Sequence, residues 1–159
     1  MKRSTRFLSI SFLLFTFILS SFTLTAQRDY HWDTYGIGFS IPGSMQIDAN
    51  SAAGFEASNN DIYLGIFPFD DENIDSDHLY NSTIEIATEL QYDSIEDGGE
   101  LEIDDFEGYY VIGQKDGISA LVVTLLDTES ETNVFVVVAF ADGFDSVAAN
   151  IVESFYAYD

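Results

Sequence analysis

The chain has no cysteine in its 159 residues. That absence excludes disulfides, zinc–thiolate centres and cysteine nucleophiles together. It does not argue against export, because a domain of this size can stand on a hydrophobic core alone. Basic residues are nearly as scarce. Five Lys and Arg face 28 Asp and Glu, for a formal net charge of −23. Beyond residue 26 only Arg28 and Lys115 remain basic, and all the acidic residues lie in that part. Recognition of nucleic acid through its phosphates needs a basic surface, so no nucleic-acid partner is expected. An anionic membrane surface would repel the chain for the same reason. Only two histidines, His31 and His78, are present, which leaves little imidazole for acid–base chemistry.

Long apolar runs are also missing, with one exception. Phe7 to Leu24 is apolar apart from Ser and Thr, and follows Lys2, Arg3 and Arg6. Leu24-Thr-Ala-Gln27 supplies a small residue before a cleavage point after Ala26. This reads as a secretory signal peptide over residues 1–26. The rival is an uncleaved membrane anchor, since the run is close to a bilayer span; its Ser/Thr content and the Ala-Gln junction favour cleavage. No cysteine stands at the junction, so a lipid anchor there is excluded. A secreted or periplasmic location is expected, with no membrane insertion after cleavage. Residues 27–159 then form a single domain.

What remains is rich in core material, 47% hydrophobic and 15% aromatic overall. The stretch from Gly117 to Asp142 dominates it. Two β-branched, apolar runs flank a polar break at 128–133, the pattern of a β-hairpin. Side chains alternate between the faces of a strand. Val134, Val136, Val138 and Phe140 therefore oppose Phe135, Val137, Ala139 and Ala141. Both faces are apolar, which predicts the centre of a sheet covered on both sides.

Further strands are predicted around that hairpin. Tyr35–Ile41 sets Ile37, Phe39 and Ile41 against a face of Gly36, Gly38 and Ser40, small enough for close approach of another element. Met45–Asp48, Phe55–Ala57, Ile62–Phe67, Leu101–Ile103 and Tyr109–Gln114 follow, with Asn50–Gly54 as a loop and Gly98-Gly99 as a break. Arg28–Thr34 reads as a loose arm or a short edge strand. Asn59-Asn60 and Asp116-Gly117 are hairpin signals. A helix is expected from about Ser76 to Tyr92, with Leu79, Thr83, Ile86 and Leu90 on its buried stripe, widened by Tyr80, Ile84 and Ala87. A second runs from a cap at Asp142 to about Tyr156, burying Phe144, Val147, Ile151 and Phe155. The class is α+β: a mainly antiparallel sheet with two amphipathic helices in an α/β/α sandwich, or with both helices on one face and loops covering the other.

Three stretches carry a resemblance. Tyr35-Gly-Ile-Gly-Phe-Ser-Ile-Pro42, Gly108-Tyr-Tyr-Val-Ile-Gly113 and Ala148-x-x-Ile151-x-x-Ser154-Phe155 resemble the opening strand, the later meander and the closing helix of the PsbP-like superfamily. That superfamily includes an extrinsic photosystem II subunit, a nuclear Ran-binding protein and small bacterial envelope proteins. The resemblance implies the fold and transfers no functional motif.

No catalytic motif appears. There is no nucleophile elbow and no glycine-rich phosphate loop. The adjacent carboxylates Asp104 and Asp105 read as a solvated turn, not an acid–base pair. Asp71, Asn73 and Asp75 have the alternate spacing of the first calcium ligands in an EF-hand. Ser76 stands where that loop needs Gly, and Ser82 where it needs Glu, so an EF-hand is excluded. A looser calcium site in the acidic loop 70–77 remains, and no other cofactor is implied. The acidity itself has three readings: solubility in a saline setting, a basic partner, or divalent cations. The expectation is an exported, non-enzymatic domain that binds another envelope or extracellular protein. The alternatives are a calcium-stabilised module and an uncharacterised hydrolase. The hydrolase would need a cleft enclosing His31 or His78 with a carboxylate.

Overall fold

A computed structural model describes residues 26–69, 78–128 and 133–158. The expected signal peptide up to residue 25 lies outside the described residues, as does the acidic loop 70–77. Ten strands and two helices are described. β1 (Gln27–Trp32), β2 (Ile37–Pro42) and β10 (Tyr156–Ala157) form a small antiparallel sheet in the order β1-β2-β10. The other strands are β3 (Gln46–Ser51), β4 (Gly54–Ser58), β5 (Ile62–Phe69), β6 (Ser94–Ile103), β7 (Phe106–Lys115), β8 (Ile118–Asp127) and β9 (Asn133–Phe140). They make one antiparallel sheet in the order β3-β4-β5-β9-β8-β7-β6. The β8–β9 pair sits at its middle, as its two apolar faces require.

One face carries the larger core. Ile37, Phe39 and Ile41 of β2 point into it, joined by Phe55, Leu64, Ile66, Val123, Leu125, Val134, Val136 and Val138 from the large sheet. Helix α2 (Asp145–Glu153) adds Ala148, Ile151 and Val152, and Phe155 follows it. Each such side chain contributes about 1.5–3 kcal/mol when fully buried. The opposite face carries helix α1 (Leu79–Glu89), which packs on β7 and β8 around Ala87, Val111 and Val122. The result is the expected three layers: α1, the large sheet, then α2 with the small sheet.

Several local expectations change. The buried stripe of α1 is Leu79, Thr83 and Ala87; Leu90 is exposed. The spacing of four keeps small residues against the sheet and lets the helix approach it closely. α1 stops before Tyr92 because Gln91 adopts φ 59°, the left-handed conformation that closes a helix. Asp142 does not cap α2: Phe144 holds the N-cap position, with no side-chain cap bond. α2 ends at Glu153, which frees Tyr156 and Ala157 to join β2. The loop expected at Asn50–Gly54 shrinks to Ala52 and Ala53 between β3 and β4. Gly98-Gly99 does not break the chain. The register shifts between Asp97 and Gly99, so Gly98 is the extra residue of a β-bulge within a ten-residue strand. Asp116 and Gly117, both at positive φ, make the predicted hairpin turn.

Candidate functional site

α1 spans about 16 Å at 1.5 Å per residue, and a helix about 10 Å wide covers about two strands spaced near 4.8 Å. α1 takes β7 and β8. On the same face, β4, β5 and β9 carry no helix among the described residues. That half of the sheet is paved with aromatic rings. Pairing sets Tyr63, Gly65, Phe67 and Phe69 of β5 beside Ala139, Val137, Phe135 and Asn133 of β9. Phe67 and Phe135 stack with centroids 4.9 Å apart, and Phe69 lies 6.5 Å from Phe135. These three half-buried phenylalanines belong to neither core.

Two glycines set the ring positions. A Cβ on Gly65 would meet the Phe67 ring and the Tyr63 hydroxyl oxygen, each at 2.7 Å, and one on Gly54 would meet Phe67 at 2.9 Å. The Phe67 ring thus occupies space that side chains on Gly54 and Gly65 would fill, and stacks on Phe135. One border of the patch is acidic. Tyr63 donates its hydroxyl to Glu56 Oε2 at 2.9 Å, and Ser58 donates to Asp48 Oδ2 at 2.6 Å. Burial, the bond to Glu56 and the charges of Glu56 and Asp48 push the Tyr63 pKa well above its ordinary range. At the other end Asn133 is 8% exposed, and its Oδ1 meets no hydrogen-bond donor among the described residues.

The small sheet carries a second cluster. A ring nitrogen of His31, Nε2, lies 2.7 Å from the Tyr156 hydroxyl, and Tyr158 donates to Asp33 Oδ1 at 2.6 Å. Tyr156 lies over Gly38, the close approach that the Gly36/Gly38 face allows. His31 is exposed. His78 stands at the exposed N-cap of α1. Asp104 and Asp105 form the turn between β6 and β7, with Asp104 at φ 49°. A polar-rimmed groove of about 380 Å³ lies beneath the start of α1, lined by Tyr80, Tyr109, Glu100, Glu102 and Glu107 among others. Asp71, Asn73 and Asp75, the expected calcium ligands, lie outside the described residues. Among the described residues no group of three or more His, Asp or Glu gathers as a metal site. No described helix is long and apolar enough to cross a membrane.

No protein-family model matches the chain. No curated protein matches it in sequence. Solved structures do match in shape. The Ran-binding protein Mog1p of Saccharomyces cerevisiae superposes with a TM-score of 0.60 at 11% identity, over 85% of this chain and 97% of that one. Cyanobacterial PsbP from Synechocystis gives 0.59 at 13% identity, over 87% of this chain and 96% of that one. The fold is therefore PsbP-like, as the three sequence stretches implied. The phenylalanine patch was not among the sequence's candidate sites. Its alternation was visible, but which half of the sheet α1 leaves open depends on strand order.

Proposed function

We propose that this protein is an exported, non-enzymatic domain that holds another envelope or extracellular protein. The observation that carries the reading is the stacked Phe67–Phe135 pair with Phe69, an aromatic patch outside both cores. Apolar surface gathered in one place on a strongly charged protein marks an interaction site, whereas scattered apolar residues do not. Aromatic rings also carry much of the binding energy in protein interfaces. The Ran-binding neighbour supports the reading, because it places a protein-binding role on the same fold. Export rests on the pattern from Lys2 to Ala26.

The test is photo-crosslinking in the cells that make the protein. A photoreactive phenylalanine analogue replaces Phe135, and in a control it replaces the exposed Ile118 at the β7–β8 hairpin. The expected result is one adduct of defined mass from position 135 and none from position 118. No adduct, or the same adducts from both positions, would sink the reading.

A further inference from the structure

We propose that the aromatic half of the large sheet, which carries no helix among the described residues, docks a cationic amphipathic segment of the partner, apolar side on Phe67, Phe69 and Phe135 and Lys or Arg toward Glu56 and Asp48. This rests on the protein-binding reading above and names the chemistry of the partner.

Space comes first. Among the described residues, β4, β5 and β9 together leave a width of about two strand spacings, close to 10 Å, beside α1. That is the footprint of one more helix or a short extended segment. The rings come second. Gly54 and Gly65 leave the space that the Phe67 ring fills beside Phe135, so Phe67, Phe135 and Phe69 form one continuous aromatic surface. Aromatic rings take apolar side chains of a partner. Charge comes third. Glu56 and Asp48 are each held by a hydrogen bond at the border of the patch, so neither spends further side-chain entropy when a cation arrives. Beyond residue 26 only Arg28 and Lys115 could supply that cation, and both sit elsewhere. Arg28 donates to Met45 O and lies over Tyr30, and Lys115 stands at the β7–β8 turn. A second copy is a poor occupant, because each chain carries −23. An acidic or purely apolar segment would leave the two carboxylates uncompensated.

The test uses the protein purified in its exported form and labelled model peptides, read by fluorescence anisotropy at low and high salt. One peptide arranges Leu and Lys for a helix with an apolar face. A second has the same composition in an order that destroys that face. The third is oligolysine, and the fourth replaces Lys by Glu. The amphipathic Leu/Lys peptide should bind saturably. The other three should be weaker by at least about tenfold, the change that one well-buried anchor confers. Phe135→Ser should remove the preference among peptides. Glu56→Gln keeps the acceptor for Tyr63, and should weaken only the low-salt binding. It also serves if Phe135→Ser proves unfolded by circular dichroism.

Equal binding of oligolysine would reduce the effect to bulk charge and overturn the proposal. So would equal binding of the Glu peptide, or unchanged affinity in both variants. A crosslink from position 135 combined with peptide failure would reject the cationic partner and leave the protein-binding reading standing. Failure of both would reject both.

Discussion

The hydroxyls of Thr83 on α1 and Thr124 on β8 meet inside the protein, 2.5 Å apart. Thr83 also donates to Leu79 O at 2.7 Å, so Thr124 supplies the proton of the shared bond. Both residues are fully buried. This polar pair fixes the height of α1 over the sheet. Thr83→Val strands the Thr124 hydroxyl, whose remaining acceptor Leu79 O is 3.5 Å away, and should cost about 1–3 kcal/mol. Thr124→Val leaves Thr83 bonded to its own helix and should cost less, about 1 kcal/mol. The double Val variant replaces both partners by similar shapes, so its loss should fall below the sum. Urea unfolding of the four proteins closes the cycle. Strict additivity would mean that the two hydroxyls are not coupled.

Gly98 and Gly99 stand side by side in β6 and should respond differently to alanine. A Cβ on Gly98 would collide with the carbonyl of Tyr110, which belongs to the paired backbone and has nowhere to move. A Cβ on Gly99 would rest against the Tyr110 ring at 3.4–4.0 Å, ordinary contact. Gly98→Ala should therefore destabilise by about 1–3 kcal/mol. Gly99→Ala should stay within about 0.5 kcal/mol of the parent. Thermal melts would separate the two. Equal losses would show that the bulge can relocate by one residue.

The contrast between these glycines shows where the sequence was legible. Strong local patterns were readable. The two-faced β8–β9 runs announced the sheet centre, Asp116-Gly117 announced its turn, and the Gly36/Gly38 face announced an approaching element. Features set by distant partners were not. Tyr156–Ala157 is too short for any periodicity, yet it forms a strand because β2 lies beside it. Ser154 ends α2 with its hydroxyl on Ile151 O at 2.6 Å, and accepts the Ser40 N–H at 2.9 Å from β2. The aromatic patch follows the same rule. Phe67 and Phe69 alternate onto one face of β5, but their exposure is decided by α1 lying over β7 and β8. The calcium expectation at Asp71, Asn73 and Asp75 depended on loop spacing alone, which does not determine how the ligands converge.

Alkaline pH should weaken the fold through tyrosine. Partial burial, the hydrogen bond to Asp33 and the Asp33 charge push the Tyr158 pKa from 10.0 to about 12. Tyr63 and Tyr92 are also raised, with burial the leading cause in each. The folded protein then holds a proton that the unfolded chain releases. The stabilisation is complete below pH 10 and is lost as pH rises through 12. Unfolding free energy should fall across that window, and fall less steeply in Tyr158→Phe. Ultraviolet titration of the nine tyrosines should show a late-ionising group that this variant lacks. An identical pH slope in parent and variant would exclude Tyr158 as a source.

The charge of −23 predicts a salt response. Self-repulsion weakens as the Debye length shortens, to about 10 Å at 0.1 M and 3 Å at 1 M. The melting temperature should therefore rise with NaCl. In fixed high NaCl, added calcium and magnesium should then act alike, because screening does not distinguish them. A calcium ion held by Asp71, Asn73 and Asp75 would behave differently. Bound only by the folded state, it would add about 2.7 kcal/mol at a hundredfold excess over its dissociation constant. That rise would be specific to calcium and would vanish when all three residues become alanine. Equal melts in the two cations assign the acidic loop to solubility. A calcium-specific rise that the triple variant abolishes would instead make the loop a metal site, and the domain a calcium-dependent binder.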